Sequence, residues 1–92
     1  MIRYRIVSIR KTSDACPAQW SGKTREGEAV YIRYRFGYFR ATVGGMTVFE
    51  TEYGDPMSGV MDDRVMRTLT QRVFNWTKCT VEAEPDGDTL LL

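Results

Sequence analysis

The sequence contains no histidine. It therefore lacks the commonest general base and the commonest metal ligand among side chains. Every Ser-His, Cys-His and histidine-based metalloprotease arrangement is excluded with it. Cysteine is scarce, with only Cys16 and Cys79. Two thiols so far apart in sequence fall short of the ligand set of a structural zinc site. Without a secretion signal, their expected state is reduced. Long apolar runs are missing, so no segment reads as a membrane span. The opening Met1-Ile2-Arg3-Tyr4-Arg5 places charges where a signal peptide needs an apolar stretch, and the expected location is the cytoplasm.

What is present suits one domain over 1–92, long enough for one modest core. Charge is uneven. Met1 to Val43 carries nine Lys/Arg against three Asp/Glu, a net +6, whereas Gly44 to Leu92 carries four against nine, a net −5. Such halves form either separate patches or neighbours that neutralise each other in the fold, and the strand registers favour mutual neutralisation.

The expected fold is α+β: an antiparallel meander of five to six strands with one amphipathic helix packed on its apolar face. Ile2 to Arg10 reads as a strand whose alternation breaks at Val7, as a bulge would break it. Lys11 to Pro17 reads as a loop. From Ala18 to Tyr53 the pattern gives four strands. Arg25-Glu26-Gly27 as a hairpin loop sets Trp20 opposite Ile32. Phe36-Gly37 as a two-residue loop sets Arg35 opposite Tyr38, although Phe36 suits such a turn poorly. For Gly44-Gly45, a three-residue loop that includes Met46 is preferred, because it sets Ala41 opposite Phe49 and Arg40 opposite Glu50, keeping Glu50 out of the core. One face then collects Trp20, Val30, Ile32, Tyr34, Phe39, Ala41, Val43 and Phe49.

Asp62 is the expected N-cap of the helix. Met61, Val65, Leu69 and Val73 recur at helical spacing as its buried stripe, and Asn75 and Lys78 suit its C-terminal end. Cys79 to Glu84 reads as a further strand on the meander, with Cys79, Val81 and Ala83 inward. Pro85 to Asp88 reads as a turn and Leu90 to Leu92 as a last strand or a frayed tail.

No segment carries an active-site signature. Ser21-Gly22-Lys23-Thr24 looks like the end of a phosphate-binding loop, but Pro17 stands where that pattern needs glycine, and a strand follows where it needs a helix. The carboxylate pairs Glu50/Glu52, Asp62/Asp63, Glu82/Glu84 and Asp86/Asp88 are read as solvated or paired with arginine. No cofactor is implied. The unusual segment is Tyr31-Ile32-Arg33-Tyr34-Arg35-Phe36-Gly37-Tyr38-Phe39-Arg40, where arginines alternate with aromatics. Its register turns Tyr34 and Phe39 inward and leaves Tyr31, Arg33, Arg35, Tyr38 and Arg40 together on the outer face, the candidate partner-binding face. RNA-binding sheets use such a combination of aromatics for bases and cations for phosphates, although the order of strands and two helices of an RNA-recognition sheet is absent here.

Gln19-Trp20-Ser21-Gly22-Lys23-Thr24, Gly27 and Val30-Tyr31-Ile32-Arg33-Tyr34-Arg35-Phe36-Gly37 resemble a segment of small proteins of bacteria and their phages, to which no chemistry is assigned. The resemblance implies a phage or prophage product that acts inside a bacterium by binding a macromolecule. The first expectation is thus a non-enzymatic interaction protein with a protein partner, as a phage accessory protein or an inhibitor of a host system. The alternative is a nucleic-acid-binding protein that uses the arginine and tyrosine face. The choice turns on whether Glu50 and Glu52 neutralise the arginines.

Overall fold

The computed structural model describes residues 3–82. β1 (Tyr4–Ser13), β2 (Ala18–Thr24), β3 (Ala29–Arg35), β4 (Tyr38–Val43) and β5 (Met46–Glu52) form an antiparallel meander in chain order. A loop leads to α1 (Asp63–Thr70), and two short strands follow, β6 (Phe74–Asn75) and β7 (Thr80–Glu82). The α+β class with a dominant antiparallel sheet and one helix is as expected. Among the described residues no helix is long and apolar enough to cross a membrane.

From β2 to β5 the registers agree with the sequence reading away from the Gly44-Gly45 turn. Trp20 faces Ile32, Ile32 faces Ala41 and Ala41 faces Phe49. Alternation buries Trp20, Val30, Ile32, Tyr34, Phe39, Ala41 and Val43, while Phe49 at the edge is half-buried. The break at Val7 is a bulge: Ile6 pairs with Thr24 and Ser8 with Lys23, so Val7 has no partner. It lets both Ile6 and Ile9 turn inward.

Six expectations need correction. The Gly44-Gly45 turn has two residues, with Val43 opposite Met46 and both glycines at positive φ. The expected register beyond it comes from a bulge at Val48, which restores Ala41 to Phe49. Lys11 to Ser13 extends β1 instead of opening a loop, because β2 runs far enough to pair with it at Trp20 and Gln19.

The helix ends at Thr70, well short of Lys78. Tyr4 donates to the Val73 carbonyl at 2.8 Å, and Phe74 and Asn75 pair in parallel with Tyr4 and Arg5. The free edge of β1 thus takes the backbone that a longer helix would have used. The buried helix positions are Met66 and Thr70, whereas Val65, Leu69 and Val73 are half-buried. A threonine can occupy the buried stripe because its hydroxyl donates to the Met66 carbonyl at 2.9 Å and accepts from Trp76 Nε1 at 3.0 Å.

The final strand is parallel to β1, with Ile9 opposite Val81, and does not continue the meander. The segment between β5 and β6 is the long crossover that parallel pairing requires. All three residues of β7 are exposed, so Val81 does not point inward. The proposed turn at Pro85 to Asp88, the strand at Leu90 to Leu92, and Ile2, Ala83 and Glu84 lie outside the described residues.

Candidate ligand-binding face of the sheet

The helix lies against the face that holds the core. Asp63 Oδ1 accepts from Trp20 Nε1 at 2.9 Å, and the Met61 carbonyl accepts from Lys11 Nζ at 2.7 Å. The opposite face of β2–β5 therefore presents its side chains to solvent in rows. Gln19, Arg33, Arg40 and Glu50 form one row, and Arg35, Tyr38 and Glu52 the next. On the other side of the first row, Arg10, Ser21, Tyr31 and Thr42 line up across four strands.

The β3–β4 hairpin brings four of the five candidate residues together. Arg33, Arg35, Tyr38 and Arg40 line one open cleft of about 380 Å³. Tyr31 stands one row away and is 38% exposed. Phe36 also lines the cleft, as a residue the sequence suggested only as an awkward turn former. It occupies the left-handed region at φ 53°, with Gly37 at φ 71°, which matches the mirror-image turn that a twisted two-residue hairpin favours. That turn is held from outside, since Gly37 donates to the Ser58 carbonyl and accepts from Tyr53 N. In this pose Phe36 is 57% exposed with the Arg35 guanidinium 4.7 Å from its ring centre. The overlooked signal was the aromatic directly after Arg35.

The electrostatics differ from expectation. Arg40 does sit opposite Glu50, yet the one ion pair among the described residues joins Lys11 and Asp14 at 3.6 Å. No described carboxylate therefore comes within ion-pairing distance of Arg33, Arg35 or Arg40. Arg33 Nε is buried and has no hydrogen-bond partner among the described residues. Arg33 and Arg40 also face each other directly. Two arginines opposite each other, with no described carboxylate paired to either, can receive an anion between them.

Other candidate chemistry does not assemble. Cys16 is exposed and Cys79 half-buried, and both are free. Burial pushes the Cys79 thiol above its ordinary pKa, only partly offset by Arg67, so this thiol is not activated. Among the described residues no three metal-binding side chains converge. Ser21 to Thr24 belong to β2, and Thr24 Oγ1 accepts from Glu28 N at 3.0 Å, which commits it to the hairpin. Asp62 caps the helix by accepting from Val65 N at 2.9 Å. No protein-family model, curated protein or solved structure matches the chain.

Proposed function

We propose that the protein is a non-enzymatic binding module that holds single-stranded nucleic acid on the face of its sheet opposite the helix. Arg33, Arg35 and Arg40 meet phosphates, and Phe36 and Tyr38 offer rings to unstacked bases. The observation that carries this reading is the gathering of three arginines, none paired with a described carboxylate, with two exposed aromatics in one cleft. Glu50 lies opposite Arg40 in register, yet no described carboxylate forms an ion pair with the three arginines, which leaves them open to phosphate.

Anisotropy titration of labelled single- and double-stranded oligonucleotides at low and moderate salt tests the reading. Three phosphate contacts on a single strand give a slope of log affinity against log salt of about −2. The double reversal Arg33→Glu/Arg35→Glu should abolish binding to every sequence while the protein still melts cooperatively. Absence of binding at low salt would sink the proposal. A protein partner is the second reading, supported by the exposed Phe36, Tyr53 and Met57. A pull-down partner that survives nuclease treatment and is lost on Phe36→Ala would favour it.

A further inference from the structure

A second concavity, about 230 Å³, opens on the sheet and is lined by Ser8, Arg10, Ser21, Gly22, Lys23 and Glu82. Gly22 contributes only backbone to its wall, since its register partners Ile9 and Val30 are both buried on the core side. Two cations and two hydroxyls, with one carboxylate at the rim, make a small polar site that suits a phosphate better than an apolar group. Ser21, on the same row as Tyr31, joins this site to the first cleft: Arg10 is opposite Ser21, Ser21 opposite Tyr31, and Arg33 follows two residues along β3. Strand and residue spacings put Arg10 roughly 17 Å from Arg35 along the face, the reach of a few extended nucleotides.

Resting on the proposed nucleic-acid reading, we infer that Ser8, Arg10, Ser21 and Lys23 form a second phosphate subsite of the same face, with Tyr31 stacking a base between it and the Arg33–Arg40 cleft. The face then holds cations, an aromatic and cations again in the order that a single strand presents phosphates and bases. Glu82 is opposite Arg10 in register and lines the same concavity, so it opposes the ligand. Its neutralisation should act in the reverse sense to loss of Arg10.

The test is anisotropy with labelled dithymidylate and octathymidylate, using the full chain and its variants. Arg10→Ala/Lys23→Ala should weaken octamer binding about tenfold, leave dimer binding unchanged, and make the salt slope shallower by about 1.4, from two single-strand phosphate contacts. Tyr31→Ala should weaken the octamer roughly fivefold to a hundredfold, as loss of one stacked base does. Glu82→Gln should tighten it. Octamer binding that is unaffected by Arg10→Ala/Lys23→Ala but abolished by Arg33→Glu/Arg35→Glu would overturn the second subsite and leave the first cleft standing. No binding of either oligonucleotide to the unaltered protein would overturn both.

Discussion

Trp20 shows how one side chain joins the layers. It is fully buried, its ring lies 5.2 Å from Lys11 Nζ, and its Nε1 donates to Asp63 at the start of the helix. Trp20→Ala should cost about 3–5 kcal/mol, as other large core truncations do, read as a drop in the urea midpoint. Asp63→Ala removes only the acceptor and should cost about 1–3 kcal/mol for the indole N–H left unmade. Equal effects from the two variants would show that packing contributes nothing beyond the bond. The cysteines differ at the same scale. A thiol reagent should label exposed Cys16 before half-buried Cys79. Because burial raises the Cys79 pKa, the folded state holds that proton to higher pH than the unfolded state does. Stability from this group is full below the ordinary thiol range and falls as pH rises through the folded pKa. Cys79→Ser should flatten that alkaline decline in a series of melts.

At the scale of elements, the helix start was legible and its end was not. An N-cap is local chemistry, and Asp62 accepts from Val65 N as its position suggested. Asp62→Ala should cost about 1 kcal/mol. The end was decided by competition with β1, which no window of sequence around Thr70 contains. The shorter helix also turns its buried side by about one residue, to Met66 and Thr70. Met66→Ala should therefore cost about 2–5 kcal/mol, and Leu69→Ala distinctly less. A larger loss at Leu69 would restore the stripe read from periodicity. The Gly44-Gly45 hairpin teaches a related point. The demand that Glu50 stay out of the core selected the right pairing, while the bulge at Val48 that achieves it left no local mark.

Across the whole molecule, β1 is the joint. It pairs antiparallel with β2 on one side and parallel with β6 and β7 on the other. Phe74 anchors the parallel side, fully buried, edge-on to Trp76 at 5.7 Å and to Tyr4 at 6.4 Å. β7 has no such anchor, since Thr80, Val81 and Glu82 are all exposed. Amide hydrogen exchange should accordingly be slowest in β2, β3 and β4 and much faster at Thr80 to Glu82, because local opening there exposes little apolar surface. Equal protection of β7 and β3 would mean that the parallel edge opens only with the whole sheet. The charge asymmetry between the halves also resolves at this scale. The acidic half contributes Glu50, Glu52 and Glu82 to strands that flank the arginines, yet no described carboxylate ion-pairs with Arg33, Arg35 or Arg40.

The sequence by itself determined the registers of β2 with β3 and of β3 with β4, the pairing of Ala41 with Phe49, the inward set from Trp20 to Val43 and the grouping of Arg33, Arg35, Tyr38 and Arg40 on one face. Each follows from a two-residue period and short turns, which tie neighbouring strands within a few residues of chain. Only the tertiary structure decided where the helix stops, that the last strands run parallel to β1, that Phe36 joins the cleft, and that no described carboxylate pairs with its arginines. Those outcomes depend on contacts between segments distant in sequence and on side-chain distances of a few ångströms. Residue spacing cannot encode whether Arg40, placed opposite Glu50, also reaches it.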